Sequence, residues 1–284
     1  MRASSLFGLI LLLAFSGISL CFAEIDPPTG ESSATHSFAG FDRNQYPGDA
    51  ALPLLRKSYS FASYWLSPPP GEKNNSWTGK RGVMKSQGFG FLLLYRGRTS
   101  GELPYKKDSI DAGLADAQGA AAAARREGFP DGSVIFLDVE EGGRFFPGYH
   151  AYLRSWAESL TKEKFRPGIY CSGIVVDEGE GSTVISADDI REHIGVAGVV
   201  YWVYNDACPP SPGCGVLKDP PAPSASGVAY ARVWQYVRSP REKKVARHCR
   251  GYSPDGNCYA PGDAEHKWFL DENVATTADP SAPR

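Results

Sequence analysis

Eight short apolar runs lie along the chain between Ser37 and Val274, and segments of helical character separate most of them. The runs are 37–42, 61–67, 89–96, 134–140, 166–172, 199–205, 231–238 and 267–274. Between them, Asp49 is placed to cap a helix over 51–58, and Thr78 one that reaches Gln87 and stops at Gly88. The clearest helix starts at Asp108 or Ser109, runs through a series of alanines to Glu127 and stops at Gly128. Another over 147–164 repeats Tyr149, Tyr152, Leu153, Trp156 and Leu160 at helical spacing, and Ser186 is placed to cap 187–194. Alternation of this kind predicts parallel strands joined by helical crossovers. About eight such units in residues 37–276 predict an α/β fold, a (β/α)8 TIM-type barrel, with a doubly wound open sheet as the alternative. The last two connections lack a clear helix, and Pro209, Pro210, Pro212, Pro220, Pro221 and Pro223 crowd the first of them. The barrel is therefore expected to be irregular in its last two units. No internal repeat and no linker divides it, and 277–284 reads as a disordered tail.

The first residues read as a leader. Arg2 precedes the apolar stretch Leu6–Leu20, and Cys21-Phe22-Ala23 offers small residues for cleavage after Ala23. Residues 1–23 are thus expected to be a signal peptide, with 24–36 a polar, flexible arm. An uncleaved anchor is the alternative; a lipoprotein signal is disfavoured by Leu20 before Cys21. The expectation is export to a periplasmic or extracellular space, with no membrane contact after cleavage. The cysteines agree with an oxidising compartment. Cys208 with Cys214, and Cys249 with Cys258, are close pairs in Pro/Gly-rich loops and read as disulfides, local pairing being one of three connectivities. A zinc site using these thiols with His248 or His266 is the rival; the spacing matches no common zinc pattern, so no metal is expected. Cys171, in an apolar strand, reads as a buried small residue.

A formal net charge of −2 and the lack of a basic stripe give no reason to expect a nucleic-acid partner. There is no phosphate loop, dinucleotide fingerprint or His-Glu-x-x-His pattern, and Gly-x-Ser-x-Gly is absent. Asn74-Asn75-Ser76 matches a glycosylation acceptor. Arg241, Lys243, Lys244, Arg247 and Arg250 form either a solvated loop or a rim that attracts anionic wall polymers.

The sharpest chemical signal is Val134-Ile-Phe-Leu-Asp-Val-Glu140. Alternate residues of a strand share a face, so Val134, Phe136, Asp138 and Glu140 point one way. Pointing into a barrel, the two carboxyls emerge together at the strand's C-terminal end, where barrels build their sites. Like charges held close push one pKa up, so one group can keep a proton while the other is ionised. Glycosidic cleavage needs that division. A structural pair satisfied by Arg or Lys is the plainer alternative. Asp42, ending the first strand, and Asp271, in the last, are placed to join the same mouth if the barrel closes. Glu141 falls on the opposite parity or in the following loop, and Glu272 alternates away from Asp271. Tyr170, Tyr201, Trp202, Tyr204, Trp234 and Tyr236 are candidate sugar-contacting rings, with strand core as the plainer role for each.

The order Gly-x-Asp, Leu-Asp-Val-Glu, Gly-Ile-Tyr, Tyr-Trp, Trp-Gln-Tyr and a terminal Asp, over about residues 38–275, resembles the family 25 glycoside hydrolases, lysozymes of the N-acetylmuramidase type. It resembles still more the related glycoside hydrolase-like domains of the DUF1906 group. The resemblance implies Glu140 as general acid and Asp138 as the partner that orients the substrate's acetamido group or stabilises the transition state. Asp42 and Asp271 correspond to flanking acids in the cleft. It also implies a monomer without cofactor, acting on a polysaccharide, the β-1,4 link of peptidoglycan. Arg43-Asn44-Gln45-Tyr46-Pro47 departs from the small hydroxyl-bearing stretch that usually follows Gly-x-Asp, and cysteine-bearing insertions border the Trp-Gln-Tyr strand. A non-catalytic glycan-binding or envelope-associated barrel is the alternative function.

Overall fold

The computed structural model describes residues 37–103, 106–208, 221–237, 268 and 270–283. The leader, the arm and Cys214, Cys249 and Cys258 lie outside these residues, as does the side chain of Cys208.

The apolar runs become strands β1 (Phe38–Asp42), β2 (Phe61–Trp65), β3 (Gly90–Arg96), β4 (Val134–Asp138), β5 (Arg166–Ser172), β8 (Val200–Cys208), β9 (Val233–Val237) and β10 (Asp271–Ala275). They close into a barrel in the order β1-β10-β9-β8-β5-β4-β3-β2, which removes the open-sheet alternative. Neighbours run parallel except around β10, which is antiparallel to both β9 and β1. The irregularity expected in the last units is this reversal. Strand β9 can be followed by an oppositely directed strand because no helical crossover is needed between antiparallel neighbours.

Large rings fill the barrel because glycines leave room for them. A Cβ on Gly40 would lie 2.1 Å from the Phe61 ring, and one on Gly168 2.5 Å from the Phe136 ring. Outside, α3 (Lys106–Arg126) buries Ala117, Ala120, Ala121 and Ala124, a stripe of small residues at helical spacing. The stripe lets α3 approach α4 (Pro147–Lys162) closely: a Cβ on Gly113 would lie 2.5 Å from the Tyr152 carbonyl oxygen. Helix α4 buries Tyr149, Tyr152, Leu153, Trp156 and Leu160, as its periodicity predicts. The short helices are α1 (Leu52–Leu55), α2 (Arg81–Ser86) and α5 (Ser186–Ile194).

Several local expectations fail. Asp49, Thr78 and Ser186 cap nothing: Asp49 pairs with Lys80 at 3.0 Å, and Ser186 lies inside α5, donating to the Gly143 carbonyl. A hairpin of β6 (Val175–Gly179) and β7 (Ser182–Ile185) precedes α5 where no strand was expected, its turn carried by positive φ at Gly179, Glu180 and Gly181. The tail expected to be disordered is held to the barrel at Asp279 and Ser281. Ser281 is buried; its hydroxyl accepts from the Leu93 amide and its carbonyl from the Val134 amide. The Asp279 carboxylate accepts from the Phe91 amide. The tail answers polar groups at the starts of β3 and β4, which burial would otherwise leave unpaired.

Candidate active site

The parallel strands end at one mouth, and the reversed strand β10 begins there. That reversal is why Asp271, the first residue of β10, pairs in register with Asp42, the last of β1. Asp138 ends β4 and pairs with Arg96 on one side and Tyr170 on the other. The barrel thus brings Asp42, Asp138 and Asp271 to one end, all three buried.

A chain of hydrogen bonds crosses this end. Tyr170 Oη donates to Gln235 Oε1 (2.9 Å), and Gln235 Nε2 donates to Asp42 Oδ2 (2.8 Å). Asn273 Nδ2 donates to the same Asp42 oxygen (2.7 Å), while Trp202 Nε1 donates to Asn273 Oδ1 (2.8 Å). Each amide is fixed in orientation by one donor and one acceptor, so Asp42 meets two N–H groups. Gln235 and Asn273 were missed in the sequence. Their signal was present: Gln235 alternates with Trp234 and Tyr236, and Asn273 stands two residues beyond Asp271, on the same face.

Asp138 has its pKa pushed well above the usual carboxylate range, first by burial, then by the charges of Glu140 and Asp42, with Arg96 opposing. Tyr170 is raised as well, by burial and then by Asp42, Asp138, Asp271 and Tyr204, so all three aspartates act on one phenol. Glu140 lies past the end of β4, exposed, and its backbone carbonyl accepts from Tyr204 Oη (2.9 Å). The expected pair is therefore split by depth: Asp138 below, Glu140 at the rim. Glu141 ties loops together, accepting from the Ser100 amide and hydroxyl.

The aromatic candidates divide by parity. Tyr170 and Tyr204 are partly exposed at the mouth, with ring centroids 5.4 Å apart. Trp202 lies beside Tyr170 (4.6 Å) and is 1% exposed, a floor beneath the site rather than a sugar platform. Tyr201, Trp234 and Tyr236 are on the other face, away from the mouth. Tyr201 packs edge-on against Tyr230. Trp234 donates to the Asn205 carbonyl, and Tyr236 donates to the buried Glu272. One strand carrying rings on both faces cannot aim them all at a cleft, and consecutive Tyr201 and Trp202 must part.

Cys171 is free and buried; burial pushes its thiol up. Among the described residues, one group offers metal-type ligands within 4.8 Å of one another: His150, Asp189 and His193. It lies between α4 and α5. Asp189 is already engaged there, accepting from the Phe145 amide and bonded to His150 Nε2 (2.7 Å), with Arg144 at 3.5 Å.

A closed barrel with buried carboxyls at its mouth is compatible with a glycoside hydrolase-like domain. A sequence-family model gives the finer placement: the chain belongs to the Rv2525c-like, glycoside hydrolase-like domain family, whose model matches residues 62–216. No curated protein matches the chain. Among solved structures, an uncharacterized B. stearothermophilus protein is 21% identical, with 84% of this chain and 95% of that one covered, at a TM-score of 0.52. The Clostridium perfringens spore cortex lytic enzyme SleM is 15% identical, with 85% and 68% covered, at a TM-score of 0.52. A family 25 glycosyl hydrolase from Bacillus anthracis is 12% identical, with 84% and 89% covered, at a TM-score of 0.46. The first two likenesses bear out the barrel fold. Among the described residues no helix is long and apolar enough to cross a membrane.

Proposed function

We propose that this protein is an exported glycosidase that cleaves a β-1,4 bond of cell-wall peptidoglycan by carboxylate acid/base chemistry. The observation that carries the reading is the buried Asp138, its pKa raised by burial and by the charges of Glu140 and Asp42, beneath an exposed Glu140. Glu140 is the accessible carboxyl and serves as proton donor to the leaving oxygen. Asp138, whose pKa burial raises, is placed to donate a hydrogen bond to the substrate, the acetamido oxygen being the acceptor that fits the expected role. Asp42, fixed by Gln235 and Asn273, and Asp271 supply negative charge near the developing oxocarbenium. Tyr170 and Tyr204 offer the ring faces. The acidic mouth and the family placement support this reading, as does the barrel shared with a spore cortex lytic enzyme.

The test is release of reducing ends from purified peptidoglycan by the wild type and Glu140→Gln. General acid catalysis is worth about 10²–10⁴-fold, and the variant is expected to lose that much. Equal release by both proteins would remove the enzyme reading. A non-catalytic glycan-binding barrel is favoured by one observation: Asp42, Asp138 and Asp271 are each less than a tenth exposed. Glycan pull-down without turnover in the wild type would establish it instead.

A further inference from the structure

Helices α4 and α5 bring two imidazoles and a carboxylate to one place. His150 lies near the start of α4, while Asp189 and His193 stand four residues apart on α5, which puts them on one face of that helix. His150 Nε2 is 2.7 Å from Asp189 Oδ2. His193 Nδ1 is 2.8 Å from the Asp189 carbonyl oxygen and 3.3 Å from Oδ1, so this ring is held against the carboxylate. The two imidazoles lie face to face, with centroids 4.3 Å apart and planes 6° from parallel. Ligands on a tetrahedral zinc ion, each about 2.0–2.1 Å from the metal, stand about 3.3 Å from one another. The separations here, from 2.7 Å up to 4.8 Å, bracket that value, so small ring rotations admit an ion.

The surroundings suit a cation. The Asp189 side chain is wholly buried and is fixed by the Phe145 amide, from which it accepts at 3.0 Å. A carboxylate has about four lone-pair sites, so that bond leaves others for a metal. The nearby arginines are turned to other groups. Arg144 donates to Glu178 through Nε (3.0 Å) and Nη2 (2.8 Å), and its approach to Asp189 is longer, at 3.5 Å. Arg154 donates to the His193 and Ile194 carbonyls. A cavity of about 420 Å³ borders the cluster and has all three residues in its wall. The His193 side chain is 41% exposed, so an ion and water have a way in.

We propose that His150, Asp189 and His193 bind a zinc ion, with a fourth position open to this cavity and taken by water. Imidazole nitrogen with a single carboxylate favours zinc over magnesium or calcium, which take oxygen ligands. The ion replaces the proton between His150 Nε2 and Asp189, His150 passing to its Nδ1–H tautomer, and it ties α4 to α5. None of these residues takes part in the glycosidase reading, so the site stands or falls by itself.

The experiment is isothermal titration of the untagged full chain, freed of metal with EDTA, with zinc chloride. One saturable site per chain is expected. His193→Ala and His150→Gln should each weaken it at least about tenfold, since losing a group that only supports a ligand already costs about 10–100-fold. Glu192→Gln removes a neighbouring exposed charge on α5 and should bind like wild type. Zinc should raise the Tm of the wild type and leave that of His193→Ala unchanged. Cobalt chloride serves as the spectroscopic probe: nitrogen and oxygen ligands give visible bands without the sulfur-to-cobalt charge-transfer absorption that the chain's cysteines would produce. The proposal is overturned by absence of saturable zinc binding in the wild type, by undiminished binding in both histidine variants, by an equal loss in Glu192→Gln, by an equal rise of Tm in His193→Ala, or by sulfur absorption at the first equivalent of cobalt.

Discussion

Replacing Glu272 with glutamine removes one buried titrating group while keeping the size and shape of the side chain. Glu272 sits on the outer face of β10, where its two oxygens accept from Tyr59 Oη and Tyr236 Oη, each at 3.0 Å. Burial pushes its pKa from 4.5 up to about 7, with the two phenols opposing and Asp271 adding to the rise. Between those values the folded protein holds a proton that the unfolded chain has lost. This contribution to stability is fully present below 4.5 and is lost as pH rises through about 7. At 1.36 kcal/mol for each tenfold change, its loss amounts to about 3 kcal/mol. Urea unfolding at pH 5 and pH 8 measures it, with the wild type compared against Glu272→Gln so that other titrating groups cancel. The stability of the wild type relative to the variant should fall by about 3 kcal/mol between the two pH values. A difference that stays flat, or that moves in favour of the wild type at high pH, would refute the assignment of a neutral buried Glu272.

Other outcomes follow from the same geometry. Gly97→Ala would place a Cβ 2.2 Å from the Asp138 carbonyl oxygen. It should cost ~1–3 kcal/mol in unfolding measurements and displace the end of β4, lowering glycan release if the mouth is catalytic. Gln235→Leu removes the acceptor of Tyr170 and one donor to Asp42. Unpaired buried groups cost about 1–3 kcal/mol each, so a lowered Tm should accompany weaker activity or glycan binding. Deleting 277–284 exposes the amides of Phe91, Leu93 and Val134 and should speed their hydrogen exchange; unchanged protection would mean the tail does not cover them.

The fold was largely legible because the barrel strands are marked by apolar runs and the long crossovers by helical periodicity, as with Tyr149, Tyr152 and Trp156 on α4. The β6–β7 hairpin escaped because Val175–Gly179 is mostly exposed and lacks an apolar face to betray it. The C-terminal segment escaped for a related reason: Asp279 and Ser281 are held by hydrogen bonds to backbone, which leave no hydrophobic pattern. In the mouth, strand parity put Asp138 on the inward face but could not show that β4 ends there, leaving Glu140 at the surface. Parity also separates Trp234 and Tyr236 from Gln235, yet which face looks inward is decided by packing around Phe41 and Tyr59, far away in sequence.

The reversed direction of β10 also fixes where the chain joins the barrel. Phe38 and Ala275 stand opposite each other in register, so the chain enters and leaves the barrel side by side, at the far end from Asp42 and Asp138. A pull on the chain through either strand therefore acts on the base of the barrel, like a cup held by the foot, at the end away from the acidic opening.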